Sequence, residues 1–393
     1  MARVLFINGG SEGHINPTVG VVRELISRGE EVVYFTIEDF RERIETTGAN
    51  VKTFDVQKFI KAFISGGRNN LLERINGLLH TTDIMIPAVL KQIEGEHFDY
   101  IIHDSMFGCG RLLAQILKLP AVNSCTSFAQ TKTSLVKQLS KNIPAETFKE
   151  FNRLKGIVQE KYGVEIQSPY DVFCNPAPLT IVYTTREFQP SEEEFDQSYK
   201  FVGPSITSRQ GHENFDLTAI KGKSPIYISL GTVFNQAIDF YKLCFDTFEN
   251  TEHIVVMSVG EKVQLSELGK IPENFIVKNY VPQPEVLKQA KLFITHGGMN
   301  SVHEGFYYGV PLIVIPQSAD QPVIAEQVAR IGAGIQLNME TLTSNKLFDA
   351  SHYVLNQPSF RLAAGKVKES MQISGGYVQA VNEIFEMKRI YGI

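Results

Sequence analysis

Thr295 to Gly305 reads THGGMNSVHEG. The run that leads into it from Lys291 (KLFIT) is apolar, and so is the run that follows from Pro311 (PLIVI). This spacing predicts a strand, a glycine turn, a helix and a second strand. A helix opened by glycines presents backbone N–H groups at the positive end of its dipole, which makes an anion site. His296 offers a donor to a phosphate oxygen, and Asn300 and Ser301 fall in the first helical turn. Glu304 lies four residues beyond Asn300, on nearly the same helix face. A carboxylate there repels phosphate but suits a pair of ribose hydroxyls, so the constellation reads as a nucleoside diphosphate site. The competing reading is a tight β–α turn, with glycines for packing and a solvated glutamate.

The same style recurs outward from this stretch. Arg3 to Asn8 is an apolar strand, followed by a glycine loop (Gly9, Gly10, Gly13). A helix is then expected with Asn16 as its cap, Pro17 at its first position and Gly29 as its stop. Glu31 to Thr36 is the next strand, so the segment is a βαβ unit that predicts a parallel sheet covered by helices. Val51 to Phe54, Tyr100 to His103, Ala121 to Asn123 and Thr180 to Tyr183 are further strands. Residues 206–222 turn polar and lose periodicity, which marks a linker. Beyond it the pattern restarts with a strand from Ile226 to Leu230, a helix from Gln236 to Glu249 and a strand from His253 to Ser258. With 393 residues, two domains are the expectation. The fold class is α/β, with doubly wound halves at 1–205 and 223–375 and a last helix at 376–393. That helix belongs to the second half or crosses back to the first. Ligands bind at the carboxyl ends of parallel strands, and two such edges facing one another make an interdomain cleft.

Composition narrows the function classes. The net charge of −5 does not suggest a nucleic-acid or anionic-membrane partner. Cys109, Cys125, Cys174 and Cys244 form no CxxC pair, which argues for a reduced, cytoplasmic chain without structural zinc. MARVLFINGG reads as a first strand, not a signal peptide. No apolar run approaches the roughly 20 residues of a membrane helix.

Further residues extend the nucleotide site. Tyr280 and Gln283, in YVPQPEVL, supply a ring and an amide able to flank a base. Asp320 and Gln321 follow the strand Leu312 to Ile315 and suit sugar hydroxyls, while Asp320 also fits a helix N-cap. His14 sits in the loop after the first strand, and Asp104 ends the strand from Tyr100. At neighbouring carboxyl edges, Asp104 can fix the tautomer of His14 and stabilise its imidazolium. Between Val56 and Phe98 lies a mostly helical insertion with Phe59, Phe63, Ile64 and Leu78, which is either helix core or an apolar wall over a cleft. With Ser124, Thr126, Ser127 and Phe128 in a facing loop, such a wall suggests a flat, hydrophobic, hydroxylated acceptor. No DxD motif and no histidine pair at metal-ligand spacing occurs, so no metal is expected.

YVPQPEVL, THGGMNSVHEG and GVPLIVIPQSADQ together resemble the donor signature of UDP-dependent family 1 glycosyltransferases, nearest the bacterial macrolide and natural-product subgroup. SLGT (Ser229 to Thr232), VGP (Val202 to Pro204) and GHINP (Gly13 to Pro17) extend the resemblance over essentially the whole chain. It implies a GT-B fold of two Rossmann-like domains. Val281 backbone and Gln283 would line the base, with Tyr280 where plant relatives stack a tryptophan, a residue this chain lacks. Ser229, Thr232, His296, Gly298, Asn300 and Ser301 would hold the diphosphate, Glu304 the ribose, Asp320 and Gln321 the sugar, and His14 with Asp104 would be the catalytic dyad. The implied reaction is inverting transfer of a hexose, by default glucose, from a UDP-sugar co-substrate to a small-molecule hydroxyl, without a cofactor. Glu304 favours UDP over dTDP. A nicotinamide enzyme is disfavoured because Asn8 breaks the GxGxxG spacing. Two readings stay open beside transfer: a GT-B-type UDP-sugar epimerase and a non-catalytic nucleotide-sugar binder.

Overall fold

The computed structural model describes residues 2–140, 143–207, 215–232, 235–318 and 320–393. The middle of the expected linker, 208–214, lies outside the described residues. The chain divides into two compact units, Met1–Ser205 with Gly375–Ile393, and Ile206–Ser374.

Seven parallel strands form the sheet of the first unit: β1 (Arg3–Ile7), β2 (Glu31–Thr36), β3 (Asn50–Thr53), β4 (Tyr100–Asp104), β5 (Ala121–Cys125), β6 (Leu179–Val182) and β7 (Tyr199–Phe201). Their spatial order is β3-β2-β1-β4-β5-β6-β7. Val4, Leu5, Phe6 and Ile7 are fully buried, as a strand sandwiched between helical layers requires. The helices are α1 (Glu12–Ser27), α2 (Arg41–Glu45), α3 (Val56–Ser65), α4 (Leu71–Gln92), α5 (Gly110–Leu117), α6 (Lys132–Leu139), α7 (Ala145–Tyr162) and α8 (Pro169–Phe173). The insertion after Val56 is the helix pair α3 and α4, as its apolar spacing predicts.

Two sequence expectations change. Helix α1 begins at Glu12, not after Asn16, so Pro17 lies inside it and His14 occupies its first turn instead of a loop. Pro17, the sixth residue of the helix, supplies no N–H for the bond that would run back to Gly13, and Asn16 accepts a bond from Arg43 in place of capping. The sequence pattern assigns no element between Phe128 and Thr180, yet α6, α7 and α8 stand there. In α7 only Phe151, Leu154 and Val158 are buried, a stripe too narrow to stand out from its polar surroundings.

The second unit carries a six-stranded parallel sheet: β8 (Ile226–Ser229), β9 (Val255–Ser258), β10 (Phe275–Lys278), β11 (Leu292–Thr295), β12 (Leu312–Val314) and β13 (Gly334–Gln336), in the order β10-β9-β8-β11-β12-β13. Its helices are α9 (Ile238–Phe248), α10 (Gln283–Leu287), α11 (Met299–Tyr307), α12 (Gln321–Arg330), α13 (Ser344–Asn356) and α14 (Pro358–Ile373). Each sheet reverses direction of winding once, between β1 and β4 in the first and between β8 and β11 in the second. Those reversals open a crevice at the carboxyl edge.

The last helix, α15 (Gly376–Tyr391), belongs to the first unit and packs on α1. Its start is fixed by close approach: Gly376 N–H donates to Val202 C=O at 2.7 Å, and a Cβ on Gly376 would lie 2.7 Å from the Pro204 oxygen. Near its end Lys388 reaches Glu30 at 2.5 Å, both side chains buried. Tyr100 Oη donates to the other Glu30 oxygen at 3.0 Å. Among the described residues no helix is long and apolar enough to cross a membrane.

Candidate active site

At the first sheet's reversal, β1 feeds α1 and β4 ends in Asp104. The parallel register Ile7↔His103 brings the two strand ends level. Asn8 Nδ2 donates to the His14 carbonyl at 3.1 Å and its Oδ1 accepts Gly10 N–H at 3.1 Å, so the residue that breaks the dinucleotide fingerprint braces the first turn of α1. His14 Nδ1 lies 2.6 Å from Asp104 Oδ2. The second Asp104 oxygen accepts Met106 N–H at 2.8 Å. The carboxylate is buried and a quarter of the imidazole is exposed. A carboxylate on Nδ1 holds the ring hydrogen there and leaves the lone pair on Nε2, the arrangement of a general base.

Beside this pair stands an aromatic cluster. Phe59 stacks on Phe63 with ring centroids 6.4 Å apart, and on Phe107 with centroids 5.3 Å apart. Phe107 in turn lies against Gly9, where a Cβ would come within 2.4 Å of the ring. The sequence pattern does not single out Phe107, although it lies only three residues past Asp104. Ile64 is exposed, whereas Leu78 is buried with its Cβ against Gly108. Phe128 packs on Phe188, and the Ser127 carbonyl receives the Cys125 thiol.

In the second unit the reversal between β8 and β11 sets Ser229 level with Thr295. The next residue, His296, lies between two backbones. A Cβ on Gly231 would stand 2.5 Å from its ring, and one on Gly298 2.4 Å. Only glycine permits that enclosure, and Gly231 also has a left-handed φ of 76°. Desolvation pushes the His296 pKa down to about 4, partly opposed by a hydrogen bond with Ser229 backbone. Gly298 caps α11 without a side chain, so the first turn presents its backbone donors. Asn300 and Ser301 follow in that turn.

Glu304 is buried, which removes the solvated-glutamate reading. Gln283 Nε2 donates to Glu304 Oε2 at 2.8 Å, and Gln283 Oε1 accepts from Tyr227 Oη at 3.2 Å. Gln283 thus positions the carboxylate, a role that spacing alone does not reveal. Val281 is buried beside the half-buried Tyr280, and Thr232 is exposed. Gln321 Oε1 accepts the N–H groups of Gln317 (2.8 Å) and Ser318 (3.1 Å), which shapes the loop after β12. Asp320 occupies the N-cap position of α12 but makes no side-chain cap bond.

Residues 4–94 match the family described as glycosyltransferase family 28 N-terminal domain, and residues 242–387 match the erythromycin biosynthesis protein CIII-like C-terminal domain. The uncharacterized UDP-glucosyltransferase YojK of Bacillus subtilis (strain 168) is 36% identical, over 98% of this chain and 97% of that protein. The chain belongs to the UDP-dependent family 1 glycosyltransferases. The NDP-glycosyltransferase YjiC of Bacillus licheniformis is 32% identical to this glycosyltransferase, over 97% and 96% of the two chains. The crystal structure of CalG4, the calicheamicin glycosyltransferase, superposes with a TM-score of 0.85 at 27% identity, over 99% of this chain and 98% of that one. The glycosyltransferase therefore has the GT-B fold and takes a nucleotide-sugar donor and an acceptor.

Buried imidazoles also give this glycosyltransferase a pH signature. Desolvation lowers the His103 pKa to about 4 and the His303 pKa to about 3, from an ordinary 6.5. The unfolded chain therefore takes up these protons first as pH falls. Stability is full above pH ~6.5 and is lost as pH falls, to about 4 for His103 and about 3 for His303, at about 1.4 kcal/mol per pH unit for each histidine. Urea unfolding at pH 7, 6 and 5 is expected to show a falling midpoint. A midpoint constant over that range would contradict the assignment. His296, lowered to about 4 by the same cause, adds to the loss over the same range.

Proposed function

We propose that this glycosyltransferase moves a hexose, glucose in the first instance, from a UDP-sugar to a hydroxyl of a hydrophobic small molecule such as a phenol, flavonoid or macrolide. The observation that carries the reading is the 2.6 Å bond between His14 and Asp104 at the first sheet's reversal. Nε2 of His14 takes the acceptor's hydroxyl proton as the oxygen bonds to the anomeric carbon. The bond from that carbon to the β-phosphate oxygen breaks, and its electron pair leaves with UDP. Asp104 stabilises the imidazolium, and the single displacement inverts the anomeric centre, so an α-linked donor gives a β-glycoside.

The donor side supports the same reading. The glycine-opened mouth of α11 meets growing negative charge with backbone donors already in place. His296, neutral because it is desolvated, gives its one N–H to the Ser229 backbone and stands beside that mouth as an uncharged ring. Glu304, oriented by Gln283, suits ribose hydroxyls, which favours UDP over dTDP. These groups do the work that a metal does elsewhere, so the reaction needs neither metal nor cofactor. The stacked rings of Phe59, Phe63 and Phe107 suit a flat, apolar acceptor. The free thiols Cys109, Cys125, Cys174 and Cys244 suit a reducing cytoplasm.

The test is incubation with UDP-glucose and a mixed set of phenolic and macrolide acceptors in the presence of a chelator. Mass spectrometry is expected to find acceptor plus one hexose, and NMR a β-linkage. Turnover that appears only after a divalent metal is restored would overturn the metal-free mechanism. Transfer to a single polar acceptor, with every apolar one inert, would overturn the acceptor class.

A further inference from the structure

We propose that Thr126 is a positioning residue for the His14 base, holding the imidazole by a second contact on the nitrogen that Asp104 engages. The inference rests on the glycosyl-transfer reading above. Thr126 Oγ1 lies 3.1 Å from His14 Nδ1, the atom that Asp104 Oδ2 approaches to 2.6 Å. In the tautomer with its lone pair on Nε2, Nδ1 carries one hydrogen. The carboxylate takes the shorter share of it and the threonine hydroxyl the longer.

The topology puts Thr126 there. Asp104 is level with Ser124 in the parallel register, and the side chain two residues on returns to the same face of the sheet. Thr126 is buried, and its β-branched side chain has few rotamers to choose from. A ring tethered at one point can swing about that bond, whereas acceptors at the ends of two different strands, β4 and β5, fix its plane. Orientation matters because a base acts only within hydrogen-bond reach of the proton it removes. The second acceptor also favours the imidazolium, as hydrogen bonds to a charged form do.

The other groups around the pair do not compete for the proton. Tyr34 on β2 and Tyr183 after β6 face Asp104, and burial raises both phenols far above neutral pH. Tyr34 is bonded to Thr18 at 2.8 Å and Tyr183 to Ser124 at 3.2 Å. Glu12, in the same turn of α1 as His14, is paired with Arg43 at 2.6 Å. In the sequence, Thr126 is only one polar residue in an acceptor-facing loop. The contact with His14 crosses 112 positions and no spacing announces it.

Thr126→Val keeps the shape and removes the hydroxyl, and Thr126→Ser keeps the hydroxyl. Thr126→Val is expected to lower kcat by about 3- to 10-fold at saturating donor and acceptor. It should also move the acidic limb of the kcat profile down by about half a pH unit, because the imidazolium loses an acceptor. Thr126→Ser should restore both. In protein labelled with nitrogen-15, the Nδ1 proton of His14, identified by its loss in His14→Ala, should shift in the valine variant and return in the serine variant. An unchanged kcat, pH limb and resonance in Thr126→Val would overturn the assignment. So would a raised acceptor KM at unchanged kcat, which would make Thr126 an acceptor contact. Wild-type protein that transfers no hexose sinks the functional reading first, and Thr126 with it. A transferring wild type beside an indifferent valine variant sinks Thr126 alone.

Discussion

Replacing His14 with alanine is expected to lower kcat by about 10²–10⁴-fold while UDP affinity stays unchanged. The split follows from where the groups lie. His14 and Asp104 belong to the first unit, whereas the mouth of α11, His296 and Glu304 belong to the second. Glu304 is held by Gln283 and His296 by Ser229 and its flanking glycines, all in the second unit, so calorimetry with UDP reports the second unit and turnover reports the base. Asp104→Asn should approach the alanine loss, because an amide that turns its N–H toward Nδ1 moves the ring hydrogen to Nε2 and removes the lone pair the acceptor needs. The double variant should be little worse than either single one, since the two residues act as a unit. A His14→Ala enzyme that keeps more than about a tenth of wild-type kcat would take the imidazole out of the chemistry. UDP binding lost in parallel would point instead to misfolding.

What the sequence discloses about this site follows from how each residue is used. The strands β1, β2, β8 and β11 are buried on both faces, so their apolar runs stand out, and the glycine turns after them mark the carboxyl edges. His14, Asp104, His296 and Glu304 can be singled out because polar residues at those edges have few structural duties. Their partners are not legible. Gln283 meets Glu304 across 21 positions, and Thr126 meets His14 across 112; only the order of strands in the finished sheet sets these distances. Proline misleads at α1 for a physical reason. Pro17 carries the signature of a helix's first residue, but the helix starts earlier, at Glu12, where Asn8, just past the preceding strand, braces its first turn through the His14 carbonyl. The enclosure of His296 by Gly231 and Gly298 is a third case: two glycines far apart in sequence look like turn residues, and their purpose is visible only where they flank the ring.

The course of the last helix is open in the sequence, and a buried ion pair shows what fixes it. Lys388 and Glu30 lie 2.5 Å apart with side chains 8% and 2% exposed, and the ammonium sits over the Phe385 ring at 4.6 Å. Removing one partner leaves the other charge buried and uncompensated, which costs far more than the pair contributes. Lys388→Met, which keeps the apolar stem, is therefore expected to destabilise the protein by about 3–5 kcal/mol in urea unfolding. Adding Glu30→Gln removes the stranded charge and leaves an amide that Tyr100 Oη can still reach. The double variant should thus recover most of the loss, and it places the penalty in desolvation, not in lost contact area. A Lys388→Met protein within about 1 kcal/mol of wild type would mean that water reaches Glu30 and that the pair behaves as a surface one. Equal losses in the single and double variants would assign the effect to packing of α15 on α1. In either case UDP affinity should be unaffected, because the pair lies wholly within the first unit and the donor groups do not.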